Sequence, residues 1–301
     1  MSEIVITGAS GVVGWRAVYE LQRAGHGVAG VTRSPRGRRV LESLGARAVY
    51  ADVFDEASLT AAFAGADAVV NLLTHIPAAD RVARHGAWDE NDRLRREASA
   101  AVALAAQAAG AERLVQESMT FLYADGGDAW LDEQAPAVGG GTTSSALVAE
   151  ANAAELFPGD TVVLRFGQFV GPDSDLTKAD LAAARAGVST TVGRRYGYLP
   201  TVWLDDAGRA VVAALDAPAG TYNVVDDEPA TRGEIDAALA AVVGRPSLRP
   251  AVTGVVPPEL EPVSRSQRAS NRRLHDATGW APRVRAGLDG WRLITETPLA
   301  A

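Results

Sequence analysis

The chain has 301 residues, 47% of them hydrophobic and 22% charged, which is the composition of a packed globular protein and excludes a disordered chain. Its length suits one large α/β domain, with or without a smaller attached lobe. A net charge of -8 disfavours nucleic-acid binding through a basic surface, and the lack of cysteine excludes disulfides, thiolate metal sites and a cysteine nucleophile.

The first predicted element is a buried strand, the β-branched run at residues 4–6, followed at once by the glycine-rich stretch TGASGVVG at residues 7–14. A helix is expected from about Val12, so its unpaired N–H groups face the loop. Glycines lack the Cβ atoms that would keep a phosphate away, so the loop predicts a pyrophosphate site. Ordinary turn chemistry is the alternative, because the G-x-x-G-x-x-G spacing is one residue wider than the dinucleotide fingerprint. The predicted cofactor contacts are Gly8, Ser10, Gly11, Val12, Val13 and Gly14.

The glycine-rich stretch also resembles a known family motif. TGASGVVG is similar to the TGxxGxxG of the extended short-chain dehydrogenase/reductases, the epimerase and dehydratase group. The resemblance implies an α/β fold, a Rossmann-type doubly wound parallel sheet with a smaller C-terminal substrate lobe. It also implies a nicotinamide dinucleotide cofactor.

A second strand is predicted at residues 27–32, after a helix that ends near Arg23. In dinucleotide folds an acidic residue at this strand end usually binds the ribose hydroxyls, whereas an arginine accommodates a 2′-phosphate. Here the strand end is followed by Arg33 and Ser34, which we predict to contact the cofactor. NADP(H) is therefore favoured over NAD(H). A solvated basic helix start is the alternative, and it explains Arg38 and Arg39 more easily than Arg33.

The third and fourth strands are predicted at residues 48–51 and 67–73. The third leads into Asp52 and Val53, where the resemblance places an aspartate near the adenine. The fourth strand end is expected to run under the nicotinamide, and His75 just beyond it is a candidate proton donor to substrate, although a loop histidine without a chemical role is more common. The predicted contacts of the fourth strand end are Leu72, Leu73 and Thr74.

The rest of the chain repeats the strand and helix order. A long alanine-rich helix is predicted at residues 90–109 and a fifth strand at 113–117, which together indicate a parallel sheet with right-handed crossovers. An exposed loop is expected at 257–266. Four later segments resemble family motifs in the expected order: TVVLRFGQFVGP at 161–172, which contains the predicted cofactor contacts Gly167 and Gln168, TVWLDDAGRAVVA at 201–213, GTYNVVDDEPAT at 220–231, and SNRRLHDATGWAP at 270–282.

The predicted division of the chain has two parts. Residues 1–172 form the NADP-binding Rossmann domain, with 201–228 returning to its sheet. Residues 173–200 and 229–301 form the substrate lobe. Four aromatic residues of the later segments could line an aromatic-accepting cleft, although packing explains single aromatics equally well: Tyr196, Tyr198, Trp203 and Trp280.

The family's catalytic pair is missing. The family that this chain resembles uses a Ser or Thr together with a Tyr and a Lys spaced YxxxK. The Tyr gives or takes the hydroxyl proton, and the Lys lowers the pKa of the Tyr. Here Thr142 stands at the Tyr position and Ala146 at the Lys position. No tyrosine of the chain has a lysine four residues later, and the only lysine is Lys178.

The position of the catalytic serine is also altered. Alignment from the following Leu-Tyr pair puts Met119 there, with Ser118 before it and Thr120 after it. Either hydroxyl could bond a substrate carbonyl, or it could satisfy the strand end. The catalytic candidates are therefore Ser118, Thr120, Thr142 and His75, and threonine is too weak an acid to replace the Tyr at neutral pH.

These residues favour an NADPH-dependent ketoreductase whose proton comes from the substrate or from water. The loss of the Tyr and Lys resembles the atypical short-chain reductases of angucyclinone tailoring, which implies an aromatic polyketide ketone as substrate. A non-catalytic NADP(H)-binding redox sensor is the alternative. An epimerase or dehydratase is disfavoured, because its sugar oxidation needs a base at the Tyr position.

The remaining expectations concern partners and location. No signal peptide precedes the first strand, and no apolar run reaches membrane length, so we expect a cytoplasmic protein without membrane contact. The expected partner is a small molecule, without nucleic acid or metal. The resemblance permits a homodimer through two helices of the sheet domain, and a monomer is equally compatible.

Overall fold

The structure is a computed structural model that describes residues 1–78, 81–82, 84, 86–252 and 254–296. Residues 253 and 297–301 of the predicted lobe lie outside the described residues. The described strands are β1 Glu3–Thr7, β2 Gly27–Thr32, β3 Arg47–Tyr50, β4 Ala68–Asn71, β5 Arg113–Met119, β6 Trp130–Leu131, β7 Asp160–Phe166, β8 Gln168–Val170, β9 Val188–Ser189, β10 Tyr198–Leu199, β11 Thr201–Trp203, β12 Gly220–Val224, β13 Ala230–Thr231, β14 Arg249–Pro250 and β15 Arg268–Ala269.

Helices alternate with the longer strands. The described α-helices are α1 Gly14–Arg23, α2 Pro35–Ser43, α3 Glu56–Phe63, α4 Asp89–Arg93, α5 Ser99–Ala108, α6 Ser144–Leu156, α7 Asp175–Arg185, α8 Leu204–Ala213, α9 Arg232–Val242, α10 Glu261–Ser264, α11 Arg272–Thr278 and α12 Gly287–Glu296. One π-helical turn, Leu94–Ala98, joins α4 to α5, and 3₁₀ turns occur at Thr120–Leu122, Gly141–Thr143 and Pro258–Leu260.

Seven strands form one parallel sheet in the order β12-β7-β5-β4-β1-β2-β3. The strand order reverses between β1 and β4, which makes the carboxyl ends of these two strands the topological switch point. Thr7 of β1 lies in register with Asn71 of β4 there. The predicted Rossmann-type doubly wound fold is confirmed.

The apolar residues explain the layers. The central strands are buried on both faces, as parallel strands between two helix layers must be. One core cluster fills the face under α1 and α8, and a second fills the face under α3 and α5. A third cluster contains residues of α7, α9 and α12, outside the seven-stranded sheet.

Several predicted boundaries differ from the structure. The first helix begins at Gly14 rather than Val12, and β4 ends at Asn71 rather than at residue 73. The predicted helix over 90–109 contains the π-helical turn. The predicted loop at 257–266 instead contains the 3₁₀ turn Pro258–Leu260 and the short helix α10.

Candidate functional site

The glycine-rich loop joins β1 to α1 at the switch point. Gly8 has a φ of 75°, which favours glycine, and a Cβ on it would lie 2.5 Å from the carbonyl oxygen of Leu72. A Cβ on Gly14 would overlap the carbonyl oxygen of Gly8. The first glycine thus allows the loop to cross the end of β4, and the last allows α1 to pack close to the loop.

The outer part of the same loop is available to a ligand. Ser10, Gly11 and Val12 are exposed, and the N–H groups of Val12 and Val13 donate to no atom of the described residues. The Val13 side chain belongs to the core under α1, so this residue offers a ligand its backbone only. Unpaired N–H groups before a helix fit the pyrophosphate of a dinucleotide.

Polar side chains connect the last residues of β1 and β4 to the middle of β5 below the loop. The Thr7 hydroxyl donates to Asn71 Oδ1 at 2.7 Å, and Asn71 Nδ2 donates to Gln116 Oε1 at 2.9 Å. All three residues are buried. These bonds satisfy the polar groups under the cleft and fix the amide orientation of Asn71.

The end of β2 places Arg33 at the surface. Arg33 is exposed and makes no hydrogen bond or ion pair with any described residue. Ser34 caps α2, and its Oγ accepts the N–H of Gly37 at 3.0 Å. Arg38 instead pairs with Glu42 in the same helix at 2.6 Å. The charge of Arg33, just past the strand, is therefore available to a cofactor phosphate, whereas that of Arg38 is already paired.

The third strand end contributes one polar and one apolar residue. Asp52 is exposed, and its Oδ1 accepts the N–H of Phe54 at 3.1 Å. Val53 is buried in the core under α3, so only its backbone could meet a ligand.

The fourth strand end emerges from the core one residue at a time. Leu72 is buried, Leu73 is half-buried, and Thr74 and His75 are exposed. The N–H of His75 donates to Asn91 Oδ1 at 2.9 Å, which ties this loop to α4. The sequence analysis did not identify Asn91, whose Nδ2 is buried without a hydrogen-bond partner among the described residues.

Gly167 separates β7, which ends at Phe166, from β8, which begins at Gln168. A Cβ on Gly167 would lie 2.9 Å from the carbonyl oxygen of Pro200, and its N–H donates to the Val224 carbonyl at 3.0 Å. The N–H of Gln168 donates to the Pro200 carbonyl at 2.8 Å. Both backbone donors are used within the protein, and the half-buried side chain of Gln168 is the group left to meet a ligand.

The catalytic candidates at the end of β5 are buried and already bonded. The Ser118 hydroxyl donates to Glu150 Oε1 at 2.5 Å, and Glu150 pairs with Arg165 at 2.7 Å. The Thr120 hydroxyl donates to the Phe166 carbonyl at 3.3 Å. Met119 lies between them and is half-buried.

Thr142, at the position of the family's tyrosine, is also enclosed. It is buried in a 3₁₀ turn, and its hydroxyl donates to the Glu259 carbonyl at 3.2 Å. A Cβ on the neighbouring Gly141 would lie 2.8 Å from the Pro258 carbonyl oxygen. The segment around Pro258 therefore covers the place where the family's acid would stand.

A buried ion pair, absent from the predicted site, lies beside Met119. Arg95, in the π-helical turn, donates to Glu117 Oε1 at 2.9 Å, and its Nη1 lies 3.8 Å from Met119 Sδ. Burial raises the pKa of Glu117, against the charge and hydrogen bond of Arg95. The sequence signal was a charged residue inside a buried strand, but its partner is 22 residues away in the chain.

The predicted aromatic residues do not gather in one place. Trp280 is buried and lines an open cavity of about 420 Å³ with Arg23 and Ala213, at the C-terminal ends of α1 and α8. These helix ends lie at the edge of the sheet opposite the glycine-rich loop, so Trp280 fits the packing alternative rather than a cleft beside that loop. Tyr198 stacks on Arg268, with the guanidinium 4.8 Å from the ring centroid, while Tyr196 is exposed.

The fold and the glycine-rich loop define an NAD(P)-binding oxidoreductase, and comparison with known proteins agrees. Residues 8–157 match a family model described as NAD(P)H-binding. A 3-diazoavenalumate denitrifying reductase from a Streptomyces species is 32% identical over 316 residues, covering 95% of this chain and 98% of that protein. The chain belongs to the extended short-chain dehydrogenase/reductase family and is an NAD(P)-dependent reductase.

Solved structures share the fold at lower identity. The human epimerase family protein SDR39U1 with NADPH has a TM-score of 0.79 and 24% identity, covering 98% of this chain and 99% of that chain. A UDP-glucose 4-epimerase from Thermus thermophilus with NAD has a TM-score of 0.78 and 21% identity, covering 98% of each chain. Across the part of the chain that the structure describes, no helix has the length and apolarity of a membrane span.

Proposed function

We propose that the chain is an NADPH-dependent reductase that transfers hydride to an aromatic substrate without a tyrosine acid. The observation that carries this proposal is Thr142, which replaces the tyrosine and is buried with its hydroxyl donated to a backbone carbonyl. Lys178, the chain's one lysine, is in α7 and pairs with Asp175 at 3.7 Å. The protein therefore supplies orientation, while the acid must come from elsewhere or not be needed.

NADPH would be held by groups at the carboxyl ends of the first four strands. The unpaired N–H groups of the glycine-rich loop suit the pyrophosphate, and the charge of Arg33 suits a 2′-phosphate. When bound, NADPH supplies the hydride. Half-buried Leu73 and exposed Thr74, which follow β4, would support the nicotinamide side.

An aryl diazo compound is the substrate class that we favour. The Streptomyces relative is named as a denitrifying reductase of a diazo compound. When an aryl diazonium carbon receives a hydride, one C–H bond forms, the C–N bond breaks, and its electron pair leaves with N₂. That step takes up no proton, so it does not require the missing Tyr and Lys.

A ketone of a polycyclic aromatic polyketide is the second candidate. Its reduction to a secondary alcohol takes up one proton at oxygen, which a neighbouring phenol or enol hydroxyl of the substrate, or water, would supply. The exposed ring of Tyr196 in the predicted lobe is one aromatic surface that such a polycyclic substrate could contact. A non-catalytic redox sensor is disfavoured, since the relative that aligns along most of the chain is a reductase.

The test uses NADPH with deuterium at the transferable position. The protein is mixed with an aryl diazonium salt or with a polycyclic hydroxy-ketone, and products are analysed by mass spectrometry and gas release. With the aryl diazonium salt, we expect release of N₂ and a product with deuterium on the aromatic ring. With the hydroxy-ketone, deuterium on a carbinol carbon would support the ketoreductase instead.

Two controls make the result decisive. Diazonium salts react with NADPH unaided, so the rate of N₂ release with the wild-type protein must exceed the rate with NADPH alone. It must also exceed the rate with the Gly8→Ala variant, whose new Cβ would meet the Leu72 carbonyl. Tight NADPH binding without turnover of either substrate class would contradict the proposed reductase and favour the sensor.

A further inference from the structure

Arg16 contacts both the glycine-rich loop and the first residue of the predicted substrate lobe. It lies in the first turn of α1 with its side chain 6% exposed. Its Nη1 donates to the Val12 carbonyl oxygen at 2.8 Å and to Asp173 Oδ2 at 2.9 Å, while its Nη2 donates to Asp173 Oδ1 at 2.7 Å. One buried guanidinium therefore joins two segments that are 161 residues apart in sequence.

The partner carboxylate is ionised and firmly held. Burial alone would raise the pKa of Asp173, but the hydrogen bonds and charge of Arg16 bring it below its ordinary value. Trp15 adds a third bond, with its Nε1 donating to Asp173 Oδ2 at 3.2 Å, and its ring lies 4.2 Å from the Arg16 guanidinium carbon. A bidentate arginine pair is directional, so it fixes orientation as well as distance.

A second carboxylate binds the remaining edge of the guanidinium. Arg16 Nε donates to Asp205 Oδ1 at 2.5 Å, in the first turn of α8. The Asp205 side chain is 56% exposed, whereas that of Asp173 is 39% exposed. Among the described residues, both carboxylates reach the glycine-rich loop only through Arg16, but Asp205 belongs to α8, whereas Asp173 belongs to the predicted substrate lobe. Asp205 is therefore the control for losing one partner of the guanidinium without a change in the lobe.

The bond to Val12 has a consequence for cofactor binding. A trans peptide places its C=O and N–H on opposite sides. Because Arg16 holds the Val12 carbonyl, the N–H of Val13 points away from the guanidinium, and this N–H is one of the unpaired donors before α1. Arg16 thus sets the direction of a peptide unit expected to bind the pyrophosphate.

We propose that Arg16 is a positioning residue that couples cofactor binding to the placement of the substrate lobe. It holds a peptide unit of the glycine-rich loop and, through Asp173, the residue that precedes the Ser174 cap of α7. Binding of NADPH orders the loop, and the guanidinium transmits this order to α7. The coupling is the same for a diazo or a ketone substrate.

The first measurement is NADPH affinity, from titration of the cofactor fluorescence. We expect Asp173→Asn to weaken NADPH binding about fivefold or more, the lower range of measured couplings between sites, although Asp173 is outside the glycine-rich loop. Arg16→Met should weaken it further, and Arg16→Lys should restore part of the loss. Asp205→Asn and Arg23→Met, the latter changing an exposed arginine of the same helix, should stay within about twofold.

The second measurement is hydrogen exchange of residues 173–187 with and without NADPH. In the wild type, NADPH should slow hydrogen exchange in this segment. In Asp173→Asn, NADPH should no longer slow exchange in this segment but should still slow it in residues 8–14. A merely structural role would alter exchange equally in both states. If Asp173→Asn binds NADPH as tightly as the wild type and NADPH slows exchange of residues 173–187 as much as in the wild type, the proposal is overturned. The result for Asp173→Asn is sufficient on its own if Arg16→Met does not fold.

Discussion

We expect the choice between NADPH and NADH to depend mainly on one side chain, Arg33. Because Arg33 has no partner among the described residues, its charge is available to a 2′-phosphate, whereas Arg38 is already paired with Glu42. We expect Arg33→Ala to weaken NADPH binding about tenfold or more and to leave NADH binding nearly unchanged, since only NADPH carries that phosphate. Titration of both cofactors, with Arg38→Ala as the control, checks this. Equal losses for the two cofactors would show that Arg33 does not select the phosphate.

The residues that remain at the family's catalytic positions should not act as the acid. Thr142→Val and Ser118→Ala should leave turnover within about tenfold, because removal of a general acid typically costs a hundredfold or more. Ser118→Ala should also lower the free energy of unfolding by roughly 1–3 kcal/mol, since it leaves Glu150, whose side chain is 13% exposed, without one donor. Steady-state kinetics and denaturant unfolding measure the two effects. A hundredfold loss of turnover in a folded variant would identify that residue as the proton donor.

At the scale of elements, the central sheet and its glycine-rich loop were predictable from the sequence. Buried parallel strands read as continuous apolar runs, and β2 was predicted with its observed bounds. The helix over 90–109 was predicted without its π-helical turn, because the sequence of that turn, LRREA, contains no residue that marks a break in a helix. The short strands outside the sheet, such as β9 and β14, have two residues each and therefore no readable alternation.

The site was predictable only where it depends on local sequence. Loops that follow consecutive strands must meet at one edge of a parallel sheet, so Gly8, Arg33 and Thr74 could be assigned together. The pairs Arg95–Glu117 and Arg16–Asp173 join distant segments, and neither member indicates its partner. For the same reason the sequence left Trp280 open between a cleft and packing, and its side chain packs near the C-terminal end of α1.

At the scale of the whole molecule, Asp226 lies where the sheet, β11 and α12 meet. It is 3% exposed, its Oδ2 accepts the Thr201 hydroxyl at 2.5 Å, and its Oδ1 has no partner among the described residues. A Cβ on Gly287, at the start of α12, would lie 2.8 Å from Oδ2. Burial raises the pKa of Asp226 to about 8, with Asp227 and Glu228 adding to the shift against the bonds from Thr201 and Gly287.

This raised pKa makes the stability of the fold depend on pH. Between about pH 4 and pH 8 the folded protein keeps the Asp226 proton while the unfolded chain loses it, so this group's contribution falls as pH rises, by up to about 1.4 kcal/mol per pH unit. We expect Asp226→Asn to remove that slope and to be increasingly more stable than the wild type towards pH 8, as measured by denaturant unfolding. Asp180→Asn is the matched control: because the pKa of buried Asp180 is raised to about 6, its difference from the wild type should level off near pH 6. A constant difference between Asp226→Asn and the wild type from pH 5 to 8 would mean that Asp226 is ionised in the folded protein throughout this range, and that its charge is balanced where the sheet meets α12.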